Sequence, residues 1–181
     1  MVISKQHTRN ARANAICWAK AVLAYPKTVI MDIETTGLAK GERRPVQIAV
    51  MSTRGKMLLE ALIQPEETIP EPATAIHGID DGDVALAATF PQVHGVLAGI
   101  FQPSVEVVVY NGHYDWEVLE EACEQYQLPM PAVDVACAMR AYAKFHGQWD
   151  AKYDHWRWQS LTEACLQMGI GVAGAHSAAV D

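Results

Sequence analysis

The sequence predicts an α/β fold with three layers and a mixed five-stranded sheet, and three observations carry that reading. Segments rich in β-branched and apolar residues lie close together at Thr28–Glu34, Val46–Met51 and Met57–Ile63. A further apolar run, Val105–Tyr110 (VEVVVY), reads as a central strand covered on both faces. Later segments with helical spacing of apolar residues alternate with strands, the pattern in which helices cover the faces of a sheet. The 181 residues, half of them hydrophobic, suit one domain over 1–181, and folding at this length removes roughly 70% of the unfolded chain's surface from water.

Taken in order, residues 10–24 are rich in Ala and place Ile16, Trp18, Val22 and Leu23 on one face, bounded by Pro26, which predicts a helix. The strand at Thr28–Glu34 follows and ends in turn chemistry at Gly37. The next two strands are joined by Thr53-Arg54-Gly55, so the first three form an antiparallel meander. Residues 64–83 carry Pro65, Pro70, Pro72 and several acids, with room for one short helix at Thr74–His77. Helices are expected at Phe90–Phe101, His113–Tyr126, Val135–Phe145 and Gln159–Gln167. The Gly169–Gly174 segment fits G-x-G-x-x-G, but it follows no strand and lacks the acid about 20 residues on, so it is a chance match.

Composition excludes several classes of function. Cys17, Cys123, Cys137 and Cys165 stand far apart with no C-x-x-C pair, which rules out a zinc ribbon, a thioredoxin-like redox motif and a secreted disulfide scaffold. No run of 18 apolar residues exists and the first 25 residues lack a hydrophobic signal core, so the expectation is a cytoplasmic protein with no membrane span. Residues 1–27 hold five bases and no acid, a start that also fits a mitochondrial presequence, although a folded helix is the preferred reading. The other 154 residues carry 9 bases and 21 acids, which argues against passive binding of long duplexes by counterion release. It leaves room for a metal-loaded site, because bound cations reverse the local potential.

Chemistry concentrates in three places. Asp32 and Glu34 stand at i and i+2 of a strand, so their carboxylates share a face about 7 Å apart. Buried side by side they would cost several kcal/mol without a neutralising partner, and a divalent cation with hard oxygen ligands is the natural one; the alternative is an edge strand with both acids in water. Asp115 follows Asn111-Gly112 just beyond the VEVVVY strand and shares a helix face with Leu119, so it looks inward, where α/β proteins build their sites. Its plainer reading is an acid at a helix N-terminus, worth about 0.3–1 kcal/mol. The third place is His176 with Asp181. In one continuous helix they would diverge by about 140°, so one of them must sit off the helix. Alone, His176 reads more readily as an ordinary surface residue, and only the combination with the acids lifts it.

Asp32, Glu34, Asp115, His176 and Asp181, in this order and local context, resemble the motifs of the DEDDh exonucleases, the family of the proofreading subunit of bacterial replicative DNA polymerase. The likeness covers most of the chain. It rests on Asp32-Ile33-Glu34-Thr35-Thr36-Gly37-Leu38, Gln47-Ile48-Ala49, Ile76-His77-Gly78-Ile79, Tyr110-Asn111-Gly112-His113-Tyr114-Asp115 and His176-Ser177-Ala178-Ala179-Val180-Asp181. The helix around Trp18 and the Trp156–Leu161 segment look like exonuclease domains of bacterial and mobile-element genomes.

The resemblance implies a ribonuclease H-like fold in which Asp32, Glu34, Asp115 and Asp181 hold two divalent ions, Mg²⁺ or Mn²⁺. It implies 3′→5′ hydrolysis of the terminal phosphodiester of single-stranded nucleic acid, DNA ahead of RNA, with release of nucleoside monophosphates. Two ions about 4 Å apart stabilise both the attacking and the leaving oxygen. His176 would take the proton of the attacking water, which requires a neutral imidazole and so predicts loss of activity on acidification. Thr35, Thr36, Leu38 and Asn111 are expected to meet the 3′-terminal nucleotide. His77 either lines that pocket or is a packed, capping histidine. Of Trp116, Trp149, Trp156 and Trp158, at least three are expected to be core rather than stacking platforms. A polymerase or repair complex is the partner implied. The family's last helix is expected to be cut short at Asp181. The competing reading is a non-catalytic nucleic-acid or polymerase-binding module that keeps the fold.

Overall fold

The computed structural model describes residues 4–171. His176 and Asp181 lie outside the described residues.

Helix α1 (Lys5–Ala24) starts five residues earlier than its apolar face alone indicates, because Ser4 caps it by accepting a hydrogen bond from the His7 N–H. Strands β1 (Thr28–Thr35), β2 (Pro45–Ser52) and β3 (Met57–Gln64) form the expected antiparallel meander. Two short helices, α2 (Glu71–His77) and α3 (Asp81–Val84), follow in the proline-rich stretch. The two-residue strand β4 (Ala88–Thr89) leads into α4 (Phe90–Ile100), and β5 (Glu106–Val109) leads into α5 (Gly112–Gln125). Next come β6 (Asp134–Cys137), α6 (Ala138–His146), the small pair β7 (Trp149–Asp150) and β8 (His155–Trp156), and α7 (Leu161–Gln167).

The main sheet has six strands in the order β4-β3-β2-β1-β5-β6, one more than the five expected, and a separate two-stranded sheet joins β7 to β8. Two of the six, β4 and β6, lie in segments whose periodicity marks no strand. Ala88–Thr89 is only two residues long yet adds in parallel to the end of β3. The helix expected from Val135 instead starts at Ala138, because Asp134–Cys137 pairs in parallel with β5 over four residues. Pro129 and Pro131 just upstream disfavour helix, and the edge position leaves Asp134 and Val135 exposed, which hides the alternation that marks a strand.

One face of the sheet is covered by α4 and α5. Val29, Met31 and Ile33 of β1, Ile48 and Val50 of β2, and Val107 and Val109 of β5 pack there against Phe90, Leu97, Val118 and Leu119. Val108 points the other way and is also buried, on the side where α6 meets β5 and α1 packs on α6. The three-layer arrangement follows from this double covering. Among the described residues no helix is long and apolar enough to cross a membrane. Of the tryptophans, Trp156 is buried, Trp116 and Trp149 are half-buried, and Trp158 is exposed and stacks on His155.

Candidate active site

The site grows from an unfinished strand edge. β1 pairs with β2 along its length, but on its other side it pairs with β5 only through Thr28–Ile30. Beyond Ile30 that edge would leave a backbone N–H exposed inside the protein, a cost comparable to a lost hydrogen bond. Asp115 fills the gap: the Ile33 N–H donates to its Oδ1 at 3.2 Å. Ile33 lies between Asp32 and Glu34, so a carboxylate from α5 is brought against the two-acid stretch of β1. Asp32 and Glu34 alternate with the buried Met31 and Ile33 and are half-buried, so the reading that leaves them wholly in water does not hold.

Asp115 is 3% exposed. Burial, and then the nearby charge of Asp32, push its carboxyl up to about 8 from an ordinary value near 4. The charge of Asp32 disfavours ionisation of Asp115, and the hard oxygen donors of Asp32, Glu34 and Asp115 are of the type a divalent cation takes. Among the described residues no three His, Cys, Asp or Glu side chains enclose an ion by themselves. The residues present fit the expected ions as part of a ligand set, with Asp181 outside the described residues.

The turn into α5 is built for close approach. Asn111 takes a left-handed conformation (φ 62°), which asparagine tolerates better than most residues. A Cβ on Gly112 would lie 2.8 Å from Val109 Cγ2 and 3.2 Å from Cys137 Cβ, so only glycine lets the helix start against β5 and β6. Gly112→Ala is expected to shift this first turn, which carries Asp115 into place, and to destabilise the protein by about 1–3 kcal/mol. Urea denaturation measures this, and an unchanged midpoint would show that the contact is slack.

Of the expected substrate contacts, Leu38 is 77% exposed and Asn111 is exposed at the site's rim. Thr35 and Thr36 are buried and already engaged. Thr35 Oγ1 and the Tyr114 hydroxyl share a hydrogen bond at 2.6 Å, and the two oxygens lie 2.7 and 2.8 Å from the Gly37 carbonyl, which accepts from whichever hydroxyl is free to donate. Thr36 Oγ1 accepts from the Arg44 N–H and donates to Glu67, both at 2.9 Å. His77 is buried, with both ring nitrogens hydrogen-bonded. Its Nδ1 accepts from the Ile79 N–H at 3.1 Å, which leaves the proton on Nε2 to donate to the Thr35 carbonyl at 3.2 Å. Burial lowers its pKa, and its two ring nitrogens join the end of β1 to the turn after α2.

Sequence reasoning missed Tyr114, Arg43, Glu117 and Glu121, which tie residues 36–44 to α5. The available signal was Glu117 and Glu121 at i and i+4, a like-charge pair that weakens a helix unless a cation meets it. It also passed over Tyr110, whose hydroxyl donates to the Gln159 carbonyl at 3.0 Å and so joins the end of β5 to the start of α7.

Comparison with known proteins places the chain among exonucleases. An exonuclease of Escherichia phage 186 is 33% identical over 160 residues, covering 84% of this chain and 81% of the phage protein. DNA polymerase III subunit epsilon of Treponema pallidum is 28% identical over 170 residues, covering 91% of this chain and 75% of that subunit. The zinc-bound complex of E. coli exonuclease I with single-stranded DNA superposes with a TM-score of 0.68 at 17% identity, over 83% of this chain and 37% of exonuclease I. The chain therefore spans well under half the length of exonuclease I, and it shares with it the ribonuclease H-like exonuclease fold. The family model of the RNase_T exonucleases matches residues 29–181, from the start of the acidic strand onward, and the chain belongs to that exonuclease family.

Proposed function

We propose that this protein is a metal-dependent 3′→5′ exonuclease that removes nucleoside monophosphates from single-stranded ends, with DNA preferred to RNA. The observation that carries the proposal is the Asp115 carboxyl, buried, raised in pKa and bonded to the backbone between Asp32 and Glu34. The likeness to a polymerase subunit and to an enzyme crystallised with single-stranded DNA supports the substrate class and a polymerase or repair complex as partner. The four free cysteines support a cytoplasmic setting.

In this reading Asp32, Glu34, Asp115 and Asp181 hold two ions, Mg²⁺ or Mn²⁺, which when bound supply charge stabilisation to the attacking and leaving oxygens. The chain's own residues do the rest. Asp115 holds its position through the Ile33 N–H, so its carboxylate needs no reorganisation during the reaction. His176 takes a proton from the attacking water as the water oxygen bonds to phosphorus; the bond from phosphorus to the departing 3′ oxygen breaks, and that oxygen gains a proton from solvent. Leu38 lies against the terminal base and Asn111 borders the sugar and phosphate. Thr35 and Thr36 shape the loop that presents Leu38, and His77 fixes the Thr35 carbonyl. The whole of residues 1–181 acts as one exonuclease domain.

Digestion of 5′-labelled DNA and RNA oligonucleotides, with and without chelator, tests the reading. A ladder shortening from the 3′ end is expected, lost with chelator and in Asp32→Ala and His176→Ala. Equal activity in wild type and both variants would remove the assigned site. Shortening of RNA alone would overturn the substrate preference and keep the mechanism. Absence of both turnover and Mn²⁺ binding would leave the non-catalytic module.

A further inference from the structure

A buried cation ties the β1–β2 loop to the helix that carries Asp115. Arg43 is 4% exposed. Its guanidinium forks onto Glu121, with Nη2 at 2.8 Å from Oε1 and Nε at 3.2 Å from Oε2, and Nη2 also donates to Glu117 at 3.0 Å. The guanidinium carbon stands 4.6 Å from the centroid of the Tyr114 ring. Glu121 receives the Gly41 N–H at 3.0 Å, and Lys40 reaches Glu117 at 3.3 Å, so the same two acids gather three residues of the loop.

Tyr114, Glu117 and Glu121 recur at i, i+3 and i+7, one flank of α5, whereas Asp115, Val118, Leu119 and Ala122 form its buried face. One rigid helix thus sets two things at once: the carboxylate at β1, and the flank on which the loop bearing Leu38 rests. A buried ion pair is a poor source of net stability, because desolvation consumes most of the attraction. Its planar, bidentate geometry does define position, which a flexible ammonium does less well.

We propose that Arg43 is a positioning residue which, through Glu117 and Glu121, holds loop 36–44 in register with Asp115 so that Leu38 meets the 3′-terminal nucleotide. This rests on the exonuclease reading above. Leu38 touches substrate alike in the ground and transition states, so freeing the loop removes uniform binding: KM rises and kcat stays. Arg43 also attracts the Asp115 carboxylate, behind burial, the Asp32 charge and two backbone hydrogen bonds in size.

The test is steady-state digestion of a 5′-labelled single-stranded DNA oligonucleotide by Arg43→Gln, Arg43→Lys, Glu121→Gln and Leu38→Ala. Arg43→Gln is expected to raise KM about tenfold or more with kcat within about threefold, Arg43→Lys to recover part of the loss, and Glu121→Gln to show the same split at smaller size. Arg43→Gln combined with Leu38→Ala is expected to cost no more than the larger single change, because both act through one contact. Hydrogen exchange of amides 36–44 is expected to speed up in Arg43→Gln while the β1 amides stay protected, a readout that needs no turnover. An unchanged KM in Arg43→Gln and Glu121→Gln, a fall in kcat alone, multiplied effects in the double variant, or unchanged exchange in the loop would each overturn the proposal. A wild-type protein that leaves every oligonucleotide intact overturns the exonuclease reading itself, whereas an active wild type whose variants keep their KM overturns this proposal alone.

Discussion

Asp115→Asn is expected to lower the rate of 3′-end removal by about 10²–10³-fold, the range typical of deleting one preorganised electrostatic group in an active site. The substitution keeps shape and an acceptor oxygen for the Ile33 N–H, so the fold should survive. What it removes is the negative charge that, in the proposed mechanism, a divalent ion matches. The assay is single-turnover digestion of a labelled oligonucleotide at saturating Mg²⁺ or Mn²⁺, with a melting curve as the control for folding. Retention of more than about a tenth of the rate would mean that Asp115 is only a strand-edge cap, a role its hydrogen bond alone could account for.

A second large effect is expected on stability, through pH. Burial and the charge of Asp32 raise the Asp115 carboxyl to about 8, above its unfolded value near 4. Between these two values the folded protein holds a proton that the unfolded chain has released. Stability of the metal-free protein therefore falls as pH rises from about 4 to about 8 and then levels off, with a loss on the order of a few kcal/mol. Asp115→Asn should flatten this slope and melt higher than the wild type at pH 8 when metal is absent. Mn²⁺ or Mg²⁺, which competes with the proton for the carboxylate, should raise the melting temperature of wild type more at pH 8 than at pH 5, and that of the variant less. Melting curves in chelator and in Mn²⁺ at both pH values measure all of this. Superimposable pH profiles for wild type and Asp115→Asn would show that the carboxyl titrates normally.

The two predictions meet at one residue whose environment was half legible in advance. Its helix and its inward face follow from spacing, since Asp115 and Leu119 stand one turn apart and the VEVVVY run just before them reads as a buried strand. That its carboxylate would complete the edge of β1 does not follow from spacing, because 82 residues separate it from Ile33. The same division runs through the rest of the site. The pairing of Asp32 with Glu34 on one face is dictated by the two-residue repeat of a strand. The uses of Thr35, Thr36 and His77 emerged only from contacts with Tyr114, Glu67 and one another.

Where the sheet departs from expectation the cause is likewise physical. β4 and β6 are two and four residues long and gain their strand character from a neighbour's open edge rather than from their own side chains. A reading by periodicity needs several repeats of a pattern, and neither segment supplies them. Arg43 illustrates the limit further: beside Arg44 in a loop it is indistinguishable from a solvated base, yet it is 4% exposed and bonded to acids 74 and 78 residues away.

The amino-acid sequence by itself determined the α/β class, the meander, the order of the acidic motifs and their family, because these follow from backbone repeats of 2 and 3.6 residues and from residue identity along a short stretch. The tertiary structure decided which strand edges are extended, which carboxyl is stripped of water and which cation anchors the loop. Those depend on what lies a few ångströms away in space, and chain folding brings such neighbours together from distances along the polymer that no local pattern records.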